Sequence, residues 1–208
     1  MFTVFLDRDG VINRNRAGYV KHWDEFSFLP GARQAIARLT RAGYRLIVIT
    51  NQACVGKGLL PNAALDDLHR RMLREIGLAG GRIETVLYCP HRSDEGCPCR
   101  KPAPGLLLRA RDEYGVDLRR AVLVGDSLTD MRAAGAAGVP SILVLSGLGW
   151  HTALQTSRAQ HPSWRPAVNL AHAAAIIQRA NANDATREHA SWWLKGILRG
   201  ARTFEARR

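Results

Sequence analysis

The sequence predicts an α/β protein whose core is a doubly wound, mostly parallel sheet of the Rossmann type. Short and almost continuously apolar runs alternate with stretches of helical periodicity, which is typical of parallel strands covered by helices on both faces. Polar residues close several of these runs, and open α/β sheets bind ligands at the carboxyl ends of their strands. The alternation predicts the fold class, and the polar run ends predict which edge of the sheet carries the site.

The apolar runs and the helical patterns give the elements in order. Five strands are predicted at Thr3–Leu6, Tyr44–Thr50, Ile83–Tyr88, Ala121–Val124 and Ser141–Leu145, and a sixth at Val168–Leu170. Helices are predicted from Pro30 to Gly43, from Pro61 onward, and over Leu106–Tyr114, Asp130–Gly138 and Ala171–Ala180. Within the second helix, apolar residues recur at helical spacing and form one face.

The chain carries a net charge of +12, mostly from arginine spread along its length. A basic balance attracts polyanions, and small phosphorylated substrates are polyanions too. The sequence has no Lys/Arg block and no nucleic-acid-binding signature, so nucleic acid is not an expected partner. No apolar run approaches the roughly 20 residues of a membrane span, and no signal peptide precedes the first strand. We therefore expect a cytoplasmic protein.

We expect one domain over residues 1–180 and a basic amphipathic tail over residues 181–208. Trp192, Trp193 and Ile197 lie among Arg and Lys in the tail. Such an apolar stripe packs on the parent domain or on a second subunit, with anionic lipid as an alternative. The expected state is a monomer, with a dimer through the tail as the other possibility.

Two carboxylates, Asp7 and Asp9, follow the first strand on either side of Arg8. Asp7 can attack phosphorus and form an acyl phosphate. Asp9 can protonate the leaving oxygen and then accept a proton from water. A magnesium ion would neutralise the charge between Asp7 and the phosphoryl oxygens, and Gly10 allows a sharp turn after the pair. Taken alone, the pattern favours a solvated acidic turn.

Two further motifs offer partners for a phosphoryl group. Thr50, followed by Asn51 and Gln52, ends the second strand, where its hydroxyl can hold a phosphoryl oxygen or simply cap the strand. Lys101 supplies a point charge, and Arg100 beside it supplies a bidentate fork. Alone, the basic pair is typical of an exposed surface.

A fourth motif follows the fourth strand. Asp126 can complete a magnesium site with Asp7, and Asp130, four residues on, can orient it from outside the ligand set. The alternative is a helix N-cap formed by Ser127 or Asp126.

Cys89, His91, Cys97 and Cys99 crowd into one short segment. Three thiolates and one imidazole match a closed, tetrahedral, structural zinc site, and in a cytoplasmic chain such a cluster indicates metal rather than disulfides. A zinc ion there would fix the loop that presents Arg100, and would leave no open position for catalysis.

Together, Asp-x-Asp-Gly-Val, Thr-Asn, Lys-Pro and Gly-Asp-Ser-x-x-Asp resemble the four signature motifs of the haloacid dehalogenase-like phosphatases, over roughly residues 1–180. The resemblance implies that Asp7 is the nucleophile and Asp9 the proton donor and acceptor. It implies that Thr50 and Lys101 steady the phosphoryl group. Magnesium would be held by Asp7, the Asp9 carbonyl and Asp126, with Asp130 behind them.

The zinc loop joined to Cys-Arg-Lys-Pro is similar to two groups of that superfamily, the heptose bisphosphate phosphatases and the histidinol-phosphate phosphatases. Gly18-Tyr19-Val20 and Lys101-Pro102-Ala103-Pro104-Gly105 favour the first group, although Ala53 and Lys57 stand where its phosphate loop more often has Ser and Arg. That group implies removal of the C7 phosphate of D-glycero-D-manno-heptose 1,7-bisphosphate, in ADP- or GDP-heptose biosynthesis.

The resemblance also implies a substrate site. Its residues would be Asn13, Gly18, Tyr19, Thr50, Asn51, Gln52, Arg100 and Lys101, with Arg100 on a second phosphate. The short loops indicate a largely cap-less enzyme. A catalytically silent, zinc-stabilised binding module is the alternative from another class, although it would need none of the four motifs.

Overall fold

A computed structural model describes residues 1–155 and 164–182. Six parallel strands form one sheet in the order β3-β2-β1-β4-β5-β6. Their bounds are β1 Thr3–Leu6, β2 Arg45–Asn51, β3 Thr85–Cys89, β4 Ala121–Gly125, β5 Ser141–Val144 and β6 Trp164–Ala167. The predicted doubly wound parallel sheet is confirmed, and β1 lies where the strand order reverses.

Seven α-helices lie within the described part of the chain. They are α1 Ala32–Arg41, α2 Ala53–Gly56, α3 Asn62–Leu78, α4 Gly105–Tyr114, α5 Leu128–Ala136, α6 Gly149–Gln155 and α7 Leu170–Ala182. The helices predicted from Pro30 and Pro61, and that over Leu106–Tyr114, are present with boundary shifts of a few residues. The short α2 and α6 were not predicted.

The two faces of the sheet have separate cores, because successive strand residues point to opposite sides. On one face Leu6 and Val48 pack with the helices α1, α3 and α7. On the other face Phe5 and Ile47 pack with α4 and α5. This three-layer arrangement explains why the central strands are continuous apolar runs in the sequence.

The strand register determines where the polar residues at the strand ends lie relative to one another. Leu6 pairs with Val48 on β2 and with Val124 on β4, and the Asp7 N–H donates to the Val124 carbonyl at 2.9 Å. Asp7 and Asp126 therefore emerge side by side at the carboxyl edge, between β1 and β4.

The last strand was predicted wrongly. Val168 is exposed and Leu170 begins α7, whereas the strand is Trp164–Ala167. Among the described strands it pairs with β5 alone, and Pro166 lies in it because an edge strand can lack one hydrogen-bond donor. Because this edge of the sheet is exposed, the strand Trp164–Ala167 has no continuous apolar run. The pattern that predicted the other strands is therefore missing here.

The amphipathic tail predicted for residues 181–208 lies outside the described residues, apart from the last two positions of α7. Among the residues that are described, no helix combines the length and the apolar character that a membrane span requires.

Candidate active site

Three buried carboxylates meet at the carboxyl edge of the sheet. Oxygens of Asp7, Asp126 and Asp130 all lie within 4.8 Å of one another. The Lys101 ammonium joins them, 2.8 Å from Asp7 Oδ1 and 2.5 Å from Asp130 Oδ1, and it also donates to the Ile49 carbonyl at 3.0 Å. The first, third and fourth motifs thus converge, and the carbonyl of Ile49, next to Thr50, joins them.

The cluster has more negative charge than Lys101 can balance. Burial, followed by repulsion from neighbouring carboxylates, raises the pKa of Asp126 to about 8. Burial also raises the pKa of Asp7 to about 7, although Lys101 opposes it. Buried carboxylate oxygens are the ligands that Mg²⁺ prefers. A divalent cation fits this cluster because it supplies the charge that the site lacks.

Two glycines make room around Asp126. A Cβ on Gly10 would lie 1.9 Å from Asp126 Oδ2, and one on Gly147 would lie 2.1 Å from it. Gly10 also has φ 84°, a conformation that L side chains rarely adopt, which agrees with the predicted turn. Asp126 Oδ2 accepts a hydrogen bond from the Leu148 N–H at 2.7 Å, so its orientation is fixed.

Asp9 is held by three side chains. The Arg8 guanidinium contacts both carboxylate oxygens, at 3.1 and 2.9 Å, while Asn13 donates to Oδ1 and Gln52 to Oδ2, each at 2.8 Å. Burial would raise the pKa of Asp9, but the Arg8 charge and these hydrogen bonds outweigh it and hold the pKa below its ordinary value. Asp9 is therefore a preorganised carboxylate.

The helix N-cap alternative is resolved in favour of Ser127. Ser127 and Asp130 form a capping box at the start of α5, in which each side chain binds the backbone N–H of the other. This contact starts the helix at Leu128, two residues before its predicted start. Asp126 is left free of capping and faces Asp7.

The Cys/His segment brings its four predicted ligands together. The sulfur of Cys97 lies 3.5 Å from those of Cys89 and Cys99, and His91 Nδ1 lies 3.3 Å from Cys99 Sγ. None of the four cysteines in the chain forms a disulfide. Ligands at about 2.3 Å from one tetrahedral zinc would lie about 3.8 Å apart, so the cluster is close to the size that zinc requires.

The Cys/His cluster is connected to the site by hydrogen bonds between side chains and the backbone. Arg100 donates to the His91 carbonyl at 3.2 Å. The Asn51 side chain exchanges two hydrogen bonds with the Lys101 backbone, at 3.0 and 3.1 Å. The loop that carries both cations is therefore tied to the Cys/His segment at one end and to β2 at the other.

A cavity of about 300 Å³ opens over the carboxylates of Asp7 and Asp126. It is lined by Asp7, Arg8, Asp9, Asn15, Arg16, Tyr19, Val20, Thr50, Asn51, Arg100, Lys101, Asp126, Ser127, Thr129 and Leu148. Of the predicted substrate residues, Tyr19, Thr50, Asn51, Arg100 and Lys101 are among them.

Three predicted substrate residues are placed elsewhere. Asn13 and Gln52 are 0% and 1% exposed. Both donate to Asp9, so they support that carboxylate from behind and are not among the residues that line the cavity. Gly18 is exposed, one residue before Tyr19. Lys57, which belongs to the expected phosphate loop, lies over the Tyr19 ring at 5.2 Å from its centroid.

Several residues of this region were not predicted from the sequence. Arg16 and Asn15 line the cavity from the loop before Tyr19, and Leu148 lines it from the start of α6. His69 on α3 contacts Arg8 from behind, at 3.1 Å. Its position on the apolar face of α3, one residue after Leu68, is the only sequence signal for this histidine.

Comparison with known proteins agrees with this arrangement. Residues 98–173 match the family model described as HAD-hydrolase-like. The chain is similar to the D-glycero-β-D-manno-heptose-1,7-bisphosphate 7-phosphatase of Bordetella bronchiseptica, at 43% identity over 155 residues that cover 74% of this chain and 87% of that protein. The enzyme of the same name from Pseudomonas aeruginosa is 42% identical over 149 residues, covering 72% and 84%.

Solved structures give the same result. The crystal structure of D,D-heptose 1,7-bisphosphate phosphatase from B. bronchiseptica, complexed with magnesium and phosphate, superposes with a TM-score of 0.82 at 40% identity and covers 86% of this chain and 99% of that chain. The corresponding enzyme of Burkholderia thailandensis has a TM-score of 0.67 at 34% identity, with coverage of 86% and 99%.

Proposed function

This chain belongs to the haloacid dehalogenase-like hydrolases, in the family of the heptose-1,7-bisphosphate 7-phosphatases, and from that premise we propose that it removes the C7 phosphate of D-glycero-β-D-manno-heptose 1,7-bisphosphate. One observation carries the proposal. The buried Asp7–Lys101 pair opens into a cavity that Arg100 also lines. A phosphoryl group can reach the nucleophile there while a second anionic group is held in the same cavity.

In the first step an Asp7 carboxylate oxygen bonds to phosphorus while the bond from phosphorus to the C7 oxygen breaks. Asp9 gives its proton to the departing oxygen. The approach of a negatively charged phosphate favours the protonated form of Asp9, because like charges raise the pKa of a carboxyl. Arg8, Asn13 and Gln52 hold this carboxyl in place for the transfer.

In the second step Asp9 accepts a proton from water as the water oxygen bonds to phosphorus. The bond between phosphorus and Asp7 breaks, which releases inorganic phosphate and restores both carboxyl groups. Lys101 and the Thr50 hydroxyl steady the phosphoryl oxygens through both steps. Lys101 is suited to this because it already lies beside Asp7.

Two metal ions are part of the proposal. Asp7, the Asp9 carbonyl and Asp126 would hold Mg²⁺, which neutralises charge on the phosphoryl oxygens, while Asp130 holds Lys101 from behind. The Cys89, His91, Cys97 and Cys99 cluster would hold a structural zinc ion. The charge imbalance of the aspartates and the spacing of the sulfurs support these assignments.

For the substrate, we assign Arg100 to the phosphate that remains at C1, and Tyr19 and Asn51 to the sugar. The names of the relatives support a heptose bisphosphate as the substrate. The corresponding pathway is ADP- or GDP-heptose biosynthesis, and the proposed location is the cytoplasm. The same names favour this substrate over the alternative, histidinol phosphate.

The experiment is a ³¹P NMR assay with Mg²⁺ on heptose 1,7-bisphosphate and on histidinol phosphate. We expect heptose 1-phosphate as the product and a higher kcat/KM for the bisphosphate. Asp7→Asn, purified identically, should lose at least about a thousand-fold in kcat while keeping the thermal unfolding midpoint. A product phosphorylated at C7, a preference for histidinol phosphate, or an active Asp7→Asn variant would each contradict the proposal.

A further inference from the structure

We propose that His69 is a positioning residue that orients Asp9 through the buried guanidinium of Arg8. The inference rests on the proposed function, because it assigns Asp9 its acid–base role. Arg8 is 1% exposed and His69 is 5% exposed. Arg8 Nη1 lies 3.1 Å from His69 Nε2, and Arg8 Nη2 contacts both oxygens of Asp9. The three side chains form one continuous chain of contacts.

The direction of the first contact follows from the chemistry of the two groups. A guanidinium carries only donors, so Nε2 of His69 must accept and the ring proton must lie on Nδ1. His69 is thus a neutral acceptor. Burial and the Arg8 charge lower its pKa to about 3, which keeps this form at every pH where the enzyme would work.

Because His69 is neutral, it does not compete with Asp9 for the positive charge of Arg8. A carboxylate in place of His69 would compete for the guanidinium and draw it away from Asp9. An apolar side chain there would leave Nη1 buried without an acceptor, so Arg8 would turn to find one. Asn13 and Gln52 each bind one oxygen of Asp9, whereas Arg8 binds both and fixes the carboxylate plane.

His69 is itself held on its far side. Its ring packs against Tyr88 with centroids 5.6 Å apart, and the Tyr88 hydroxyl donates to Asp66 at 3.2 Å. Asp66 and His69 both lie on α3, so the end of β3 and one face of the helix define where the imidazole lies. The position of α3 on the sheet is in this way transmitted to Asp9.

The test compares His69→Phe, which keeps the ring size and removes the acceptor, with His69→Gln, whose terminal amide oxygen can replace Nε2. We expect His69→Phe to lower kcat about ten-fold with KM within about two-fold of wild type. His69→Gln should retain at least about half of kcat. His172→Phe, on the partly exposed face of α7, is the matched control and should leave kcat unchanged.

The decisive readout is a double-mutant cycle with Asp9→Asn. If His69 acts through Asp9, His69→Phe should cause no further loss of kcat once Asp9 is Asn. An equal loss in both backgrounds, or the same loss for Gln as for Phe, would overturn the proposal. If His69→Phe does not fold, His69→Glu replaces it. Glu offers Arg8 a competing carboxylate, so wild-type kcat in that variant would also overturn the proposal.

The proposed function is tested separately with p-nitrophenyl phosphate, a phosphomonoester whose leaving group needs little protonation. Wild-type protein that hydrolyses neither this probe nor the heptose bisphosphate would contradict the phosphatase assignment. Active wild-type protein whose folded His69→Phe variant has the same kcat on the heptose bisphosphate would contradict only the role of His69.

Discussion

Lys101 Nζ lies 2.8 Å from Asp7 Oδ1, so the cation predicted to steady the phosphoryl group is paired with the predicted nucleophile. The same ammonium contacts Asp130. Burial opposes the charge on Lys101, but the two carboxylates outweigh it and raise its pKa. A phosphoryl group that binds Lys101 is therefore brought next to the oxygen that attacks it.

Replacing Lys101 with Met should affect both stability and catalysis. Lys101 is 3% exposed, and its loss leaves Asp7 and Asp130 buried without a cation, which typically costs about 3–5 kcal/mol. We expect kcat to fall at least about a hundred-fold. Urea unfolding and steady-state assays measure the two effects. Arg41→Met, at an exposed position at the end of α1, should change the unfolding free energy by less than about 1 kcal/mol. An equal loss of unfolding free energy in both variants would contradict the role of the buried pair.

Arg100→Ala should distinguish a retained phosphate from the one transferred. We proposed that Arg100 holds the C1 phosphate by charge-assisted, bidentate hydrogen bonds. If it does, kcat/KM for the bisphosphate should fall about 30- to 150-fold, or about 2–3 kcal/mol. A heptose 7-phosphate without the C1 phosphate should be affected far less. The measurement is kcat/KM for both substrates with both proteins. An equal penalty on the two substrates would remove Arg100 from the C1 phosphate.

Cys97→Ser should lower the zinc content and, indirectly, the activity. Cys97 Sγ is 3.5 Å from two other sulfurs, so its loss opens the ligand set. Wild-type protein should carry about one zinc per chain, and the variant less, with a lower unfolding midpoint and a weakened kcat because the loop carrying Arg100 loosens. Elemental analysis by mass spectrometry measures the metal. Cys54→Ser, outside the cluster, should keep the zinc, and a wild type without zinc would defeat the assignment.

His69 should make stability depend on pH. Its native pKa of about 3 lies below the ordinary 6.5, so below pH 6.5 the unfolded chain binds a proton that the native protein does not. The contribution of His69 to the free energy of unfolding should be fully present above pH 6.5 and should decline as the pH falls, by about 2 kcal/mol at pH 5. The charged groups that act on the ring are the guanidinium of Arg8, which opposes protonation, and Asp9, which favours it.

Urea unfolding of wild type and His69→Gln at pH 7 and pH 5 measures this contribution. The variant has no imidazole at that position, so its stability should fall less between the two values than that of the wild type. Other titrating groups are common to the two proteins, so parallel losses would show that the native pKa of His69 is not lowered.

The fold and the catalytic motifs followed from local sequence patterns. Strands buried on both faces need continuous apolar runs, and β1, β2 and β4 have them. The edge strand Trp164–Ala167 has no such run. It ends the described sheet and has a neighbouring strand on one side only, so its middle residues are exposed and need not be apolar. The prediction failed where burial no longer constrains the sequence.

Within the site, the sequence predicted the residue types that the chemistry requires. It did not predict which polar residues face the cavity and which hold another site residue in place. Asp7, Lys101, Asp126 and Asp130 meet as expected because parallel strands end at one edge. Asn13 and Gln52 were predicted to touch substrate, yet both donate to Asp9. A hydrogen-bonding side chain near a motif can face the cavity or the carboxylate behind it, and spacing does not distinguish the two.

The sequence by itself determined strands β1 to β5, the four motifs and the Cys/His cluster, because each is set by residues close together in the chain or by the ends of buried strands. Only the tertiary structure decided that His69 meets Arg8, 61 positions earlier, and that Arg16 and Leu148 share a cavity. Those contacts depend on how α3 and the connecting loops pack over the sheet. Packing between distant segments has no local periodicity from which a contact can be predicted.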